Sequence, residues 1–458
     1  MKMGFMRPPG WAGMLALGLA GAGGGVLSAQ NTYGGPNVLS RTAGIMGRPA
    51  GLAPLRFRFF GNLSGLYNTG LTTGVTDATG QIAQASTSGF SAGGGAYAIN
   101  STRSTQTTFG YTGAYSYTRG ISQFSGVNQH MVVNHERRLT RRWNFFTGHS
   151  VGTQSNILEA RRVSQRDGAF QNIFNEPYYS YFEPVDSKLA FFSSGAGFQF
   201  QKSRRVSISF DGGVFAVRRS GNSLASGRGE QAQGEITYQI SRTQTVAAVY
   251  NFNHFYYLRQ FGESFVQTPT VSYNRLLNRS WSVFVRGGRY RVESDRLRTV
   301  AVDPFVAALV GQSFTVEAFH DVTYGTAFGA GVNGRFNQRH GITVSVDRSV
   351  NAGNGLTLTA QSTTFGSHYQ FSGRRNFSFG FGAVWAQLEP ILDSQTRANF
   401  TSYGGEGGMS YRLNSYLYAT ASLNSQKVRY VGTTFDRNRW TASVGISASP
   451  GELPLKWK

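Results

Sequence analysis

The chain has 458 residues, no Cys and only 14% charged residues, set against 59 Gly, 35 Phe and 22 Tyr. Without thiols it can hold neither a disulfide framework nor a thiolate metal site, and a chain rich in aromatics but poor in Glu and Lys is strand material. The formal charge is +22, yet the arginines are scattered in pairs with no basic helix or arm, which argues against nucleic acid as a partner.

Residues 1–29 read as a cleaved signal peptide. Lys2 and Arg7 make a positive start, Trp11 to Leu27 is apolar, and Leu27-Ser28-Ala29 is a small-residue cleavage site before Gln30. The apolar stretch is too short and too rich in glycine for a good spanning helix. No later run is long enough to cross a bilayer as a helix, so membrane residence has to use strands. Residues 30–54, with NTYGGPNVLS and GRPAGLAPL, read as a flexible periplasmic lead-in.

From Leu55 the pattern alternates with period two. Val322, Tyr324, Phe328, Ala330 and Val332 share one face, with Asp321, Thr323, Gly325 and Gly329 on the other. Ala232, Gly234, Ile236 and Tyr238 alternate with Gln231, Gln233, Glu235, Thr237 and Gln239, and Trp440, Val444 and Ile446 repeat the rhythm near the end. The outer face of a soluble sandwich would carry Lys, Glu and Arg. Here the polar face is mostly Gly, Ser, Thr, Gln and Asn, which fits the wet interior of a membrane barrel.

A unit recurs along the chain: an aromatic residue, a short Ser/Asn/Arg turn, then a new alternating run. It is seen near Ser101, Leu139, Lys202, Tyr238, Tyr273, Phe336, Phe371 and Tyr411. Eight tight turns at one end imply nine connections at the other and about 18 strands, with 16 and 20 as alternatives. The longer connections are expected at 68–89, 118–124, 155–187, 219–228, 257–262, 293–313, 350–356, 389–396 and 427–436. A Tyr or Phe before each turn suits a girdle at the lipid headgroups.

With these features the chain resembles the bacterial outer-membrane porin-like β-barrel class. The resemblance is architectural and points to no one family. It implies a single all-β, antiparallel up-and-down transmembrane barrel over residues 55–448, with 449–458 as a C-terminal tail or the end of the last strand. It also implies passage through the export and barrel-assembly machinery to the outer membrane. One departure stands out: members of the class usually end on an aromatic residue, whereas this chain ends SASPGELPLKWK, with Trp457 penultimate.

The expected function is a porin-like channel for passive passage of small hydrophilic solutes, weakly anion-selective. The face assignments nominate Asp211, Gln231, Gln233, Glu235, Gln239, Arg286, Asp321, Asp347, His368 and Glu406 as pore-lining residues. The longest connection, 155–187, carries Arg161, Arg162, Arg166, Glu176 and Glu183. In general porins the third loop folds inward, and the resemblance implies a constriction here; the plain alternative is a surface loop. The arginine pairs at 137/138, 141/142, 204/205 and 374/375 flank the short turns and suit phosphate headgroups. Arg218, Arg219, Arg228, Arg289, Arg291, Arg296 and Arg298 lie near the other end, where they suit lipopolysaccharide and attract anions.

An exopolysaccharide-secretion-associated or structural outer-membrane barrel is the alternative reading, its aromatic and Gln-rich interior suited to polysaccharide. An outer-membrane enzyme ranks lower: there is no HExxH or GxSxG pattern, and His320 and Asp321 are adjacent on a strand and so point to opposite faces. No cofactor or metal site is expected. The partners are outer-membrane lipid and the transported solute, and the sequence does not fix an oligomeric state.

Overall fold

The computed structural model describes residues 53–76, 82–102, 104–120, 125–154, 188–220, 225–258, 262–337, 339–353, 358–372, 376–391, 399–430, 436–449 and 452–454. In these segments the alternating runs form strands. The first six are β1 (Ala53–Thr76), β2 (Ile82–Ser101), β3 (Thr105–Thr118), β4 (Gly126–Arg138), β5 (Trp143–Gln154) and β6 (Leu189–Gln201). Next come β7 (Val206–Arg219), β8 (Ser226–Ser241), β9 (Gln244–Leu258), β10 (Gly262–Leu276), β11 (Trp281–Ala301) and β12 (Phe314–Phe336). The last six are β13 (His340–Asn351), β14 (Ala360–Ser372), β15 (Phe377–Pro390), β16 (Phe400–Arg412), β17 (Leu417–Tyr430) and β18 (Asp436–Ala448).

Each strand pairs antiparallel with the next, and β1 pairs with β18 from Gly61↔Ala448 to Thr69↔Trp440, so the sheet closes into an 18-stranded barrel. A three-residue strand β19 (Glu452–Pro454) adds to the start of β1.

The eight expected turns join β2 to β3, β4 to β5 and so on to β16 and β17, and none exceeds four residues. Their chemistry repeats. In the turn after β4 the Thr140 hydroxyl accepts from the backbone N–H of Arg142 and of Trp143, at 3.2 and 3.1 Å. Asn278 accepts in the same way from Ser280 and Trp281 at 2.8 and 2.9 Å, and Asn414 from Tyr416 and Leu417 at 2.8 and 2.9 Å. A short side-chain acceptor thus takes the place of a backbone one and fixes the reversal.

At the other end the strands run further than expected. The glycine- and threonine-rich stretch taken as a loop from residue 68 continues as an irregular ladder with β2, through Leu71↔Ala85 and Thr72↔Gln84 to Thr76↔Ile82, pairing that holds it extended in spite of weak strand propensity. In the span 293–313, β11 continues to Ala301 and a short helix α1 (Pro304–Val310) precedes β12. The Asp303 carboxylate caps α1 by accepting from the N–H of Phe305 at 2.8 Å, and Gly311 ends it at φ 71°. β12 pairs with β13 only from Phe328↔Arg348 to Phe336↔His340, so Phe314–Ala327 has β11 as its one partner among the described residues.

One face of each long strand except β13 carries exposed apolar side chains, including Phe210 (63%), Tyr324 (69%) and Val444 (71%). Trp143, Tyr238, Phe336, Phe377 and Tyr411 stand near the short turns, and Tyr67, Phe90, Phe365, Tyr403 and Trp440 nearer the long connections. An apolar band between two aromatic rows is what a transmembrane barrel presents to lipid.

The seam between the first and last strands is testable because the chain has no Cys of its own. Leu63 and Ile446 are direct partners. Leu63→Cys with Ile446→Cys is expected to cross-link on mild oxidation and to shift the mobility of unreduced protein on a denaturing gel. A folded double variant that stays uncross-linked would show that the seam is wrong.

Candidate functional site

The face opposite the exposed apolar side chains lines the interior. Asp211 stands there on β7, Gln231, Gln233, Glu235 and Gln239 on β8, Arg286 on β11, Asp321 on β12, Asp347 on β13, His368 on β14 and Glu406 on β16. Two pairs come together by the same device. Arg286, Gly329 and Asp347 form one hydrogen-bonded row across β11, β12 and β13. With no side chain at Gly329, the Arg286 guanidinium reaches over it to an ion pair with Asp347. A Cβ at Gly329 would sit 2.8 Å from both Arg286 Nε and Asp347 Oδ1. His368, Gly382 and Glu406 repeat the row on β14, β15 and β16; a Cβ on Gly382 would lie 3.3 Å from His368 Nδ1 and 3.1 Å from Glu406 Oε1.

The remaining six are not gathered into one cluster. Glu235 accepts from the Thr237 hydroxyl at 2.5 Å and Asp321 from that of Thr323 at 3.4 Å, each on its own strand. Asp211 stands opposite Gly197 on β6 and Gln233 on β8. Gln231, Gln233 and Gln239 are spread along β8. His320 turns outward and meets Asp295 across the β11–β12 pair at 2.6 Å, not Asp321. Among the described residues no group of three or more His, Cys, Asp or Glu is placed to hold a metal ion.

The interior also holds side chains that the polar-face reading left out. Phe191 lies over Gly152, where a Cβ would come within 2.6 Å of the ring, and Phe215 lies over Gly229 at the same spacing. Large inner side chains thereby lie against the wall, above glycines, instead of standing into the channel. Arg219, Arg437 and Arg439 are buried on the inner face near the long connections. Arg437 Nε donates to the Gly70 carbonyl at 2.7 Å and Arg219 Nη1 to that of Ala225 at 2.7 Å. The alternation beginning at Ile446, Val444 and Trp440 carried the signal for Arg437 and Arg439, since odd positions there point inward.

The candidates Arg161, Arg162, Arg166, Glu176 and Glu183 lie outside the described residues. Among the described residues, the connection after β13 enters the interior. Val350, Ala352 and Leu358 pack with Ile391 against inner-face residues of distant strands, among them Phe215, Tyr257, Val266, Tyr290 and Val292. Hydrogen bonds fasten this contact. Thr359 N donates to the Tyr257 hydroxyl at 2.7 Å, and the Thr359 hydroxyl donates to Ser264 Oγ at 2.7 Å. Ser264 in turn bonds to Ser294 at 2.7 Å. Tyr290 donates to Gln361 at 2.6 Å, and Gln361 to Glu389 at 2.9 Å. The described residues on either side of this connection, Val350 and Ala352 before it and Leu358 and Thr359 after it, therefore lean on the inner wall formed by β7, β9, β10 and β11.

The Arg286–Asp347 pair is largely withdrawn from solvent, with side-chain exposures of 26% and 5%. Arg286→Ala is expected to strand the Asp347 carboxylate and cost about 3 kcal/mol, read as an earlier unfolding midpoint in detergent and urea. Adding Asp347→Asn should recover much of that loss. Equal midpoints for Arg286→Ala and the wild type would refute the coupling.

No protein-family model matches the sequence, and no curated protein does. Solved structures with a similar fold include the FrpB iron transporter from Neisseria meningitidis, at 10% identity and a TM-score of 0.42, the match covering 81% of this chain and 63% of that one. OccK5 (OpdH) of Pseudomonas aeruginosa matches at 9% identity and 0.42, covering 88% of this chain and 100% of its own. OccAB1 of Acinetobacter baumannii matches at 10% and 0.42, covering 88% and 98%. The chain thus spans under two thirds of FrpB, and the likeness to all three is one of fold.

Proposed function

We propose that the protein is a bacterial outer-membrane channel that passes small hydrophilic solutes passively. One observation carries this reading: a closed ring of 18 strands has an apolar exterior and an interior of hydrogen-bonding side chains, with Val350, Ala352 and Leu358 packed on its inner wall. A ring of this size is wide enough for an aqueous channel. The short turns face the periplasm and the longer connections the outside. Outer-membrane lipid covers the apolar band, and a chain of this kind reaches it through the export and barrel-assembly machinery.

The charge layout bears on selectivity. Arg218, Arg228, Arg289 and Arg291 stand on the outer face of the barrel, so their charge is not inside the channel. On the inner face Arg219 on β7 and Arg437 and Arg439 on β18 each stand near the outer mouth, on separate parts of the ring, while Asp211, Glu235 and Glu406 lie deeper. Arginines at the mouth draw anions in and the carboxylates below oppose them, which makes a weak anion preference the reading that fits.

Planar-bilayer recording of the refolded barrel tests the proposal. Discrete conductance steps are expected, and their absence would sink the channel reading. Leu358→Gly with Tyr257→Ala, which removes this inner-wall contact, should raise the single-channel conductance; an unchanged step would remove Leu358 and Tyr257 from the pathway. In a salt gradient Asp211→Asn with Glu235→Gln should move the reversal potential further toward the anion side, and a strong cation preference in the wild type would contradict the charge reading.

A further inference from the structure

Two successive inner rungs of the β8–β9 pair carry a carboxamide on each strand. Gln231 stands opposite Asn253, and Gln233 opposite Asn251. All four share the strand parity of Glu235, Val249 and Phe255, which are buried on the inner face, so they project into the lumen. Opposed residues lie about 5 Å apart at Cβ, and successive inner positions about 7 Å apart along a strand. Four planar amides therefore share a patch the size of one sugar ring.

The protein makes no use of these amides itself. Among the described residues none of the four has a hydrogen-bond partner, and each is partly exposed. Each one keeps two N–H donors and a carbonyl acceptor. Other inner carboxamides are engaged: Gln361 accepts from Tyr290 and donates to Glu389, and Gln426 donates to Ser402 at 3.1 Å.

The surroundings select among ligands. Asp211 on β7 adjoins Gln233, Thr268 on β10 adjoins Asn251, and Glu235 is the next inner position after Gln233. Two carboxylates at the edge of the patch repel an anion. A bound metal ion is disfavoured as well, since the described residues offer no third His, Cys, Asp or Glu to join them. A hydroxyl both donates and accepts, so an array of hydroxyls answers amide N–H, amide carbonyl and carboxylate alike. The patch also borders the apolar inner-wall cluster. Asn253 pairs with Val266 on β10, and Phe255 follows two residues later; both belong to the cluster on which Val350, Ala352 and Leu358 pack. A solute entering from the long connections passes that cluster and meets the amides next.

We infer that Gln231, Gln233, Asn251 and Asn253 form a binding site for an uncharged, polyhydroxylated solute of the carbohydrate class. The inference rests on the channel reading and names the kind of solute that this part of the lumen selects.

Isothermal titration of the full-length barrel, in a detergent without a sugar headgroup, tests the site without requiring conduction. The probes are maltotriose, the anionic polyol gluconate, triethylene glycol, which has ether oxygens but few donors, and calcium chloride. Maltotriose is expected to bind at about tenfold lower concentration than gluconate or triethylene glycol. Gln233→Ala with Asn251→Ala, and separately Gln231→Ala with Asn253→Ala, should each weaken maltotriose binding about tenfold, the loss of two hydrogen-bonding side chains. Because the two pairs are changed separately, misfolding of one variant leaves the other to decide. Undiminished binding by the folded variants, equal binding of maltotriose and triethylene glycol, tighter binding of gluconate, or calcium binding that the same substitutions abolish would each overturn the inference. Conductance steps from a barrel that binds no maltotriose would overturn it and leave the channel reading intact; maltotriose binding by a barrel without steps would support the site and overturn the channel.

Discussion

A strand in hydrocarbon has no water to satisfy its backbone, so every N–H and C=O at that depth must find a partner on a neighbouring strand. The pairing of β1 with β18 meets this demand, since it removes the two edges that an 18-stranded sheet would otherwise leave open. The rest follows from closure. A closed ring has an inside and an outside, period-two alternation sends successive side chains to each, and the chain can therefore be apolar toward lipid and hydrogen-bonding toward the lumen with no core in the usual sense.

Within the ring, space is managed by glycine. An inner wall carrying Arg, Glu, His and Phe at full reach would crowd its own interior. At Gly329, Gly382, Gly152 and Gly229 a neighbouring large side chain instead lies flat over a position with no Cβ. Polar groups then meet along the wall, as Arg286 and Asp347 do, and Thr359 is held to the inner wall by Ser264 and Tyr257.

The architecture was legible in the sequence because it rests on local signals. Alternation named the two faces, and turns such as Leu139-Thr140 and Leu277-Asn278 marked one end of the ring through a side-chain acceptor that acts within three residues. What depends on contacts far apart in the chain was not legible. Nothing in NAGNGLTLTA announces that Leu358 and Thr359 seat on Tyr257 and Ser264, four strands away around the barrel. The row Arg286, Gly329, Asp347 was present as three separate residues, and its register emerges only from the fold. The helix α1 had a readable start in Asp303-Pro304, but its seven residues were absorbed into an expected loop.

The early parting of β12 and β13 carries its own consequence. Above Phe328 and Arg348, residues 314–327 keep one bare backbone edge among the described residues. Such an edge is tolerable in water or among sugar headgroups and forbidden in oil. The last shared rung is thus a waterline fixed by the protein: the greasy slab cannot rise past it on this flank, whatever thickness the surrounding bilayer would prefer.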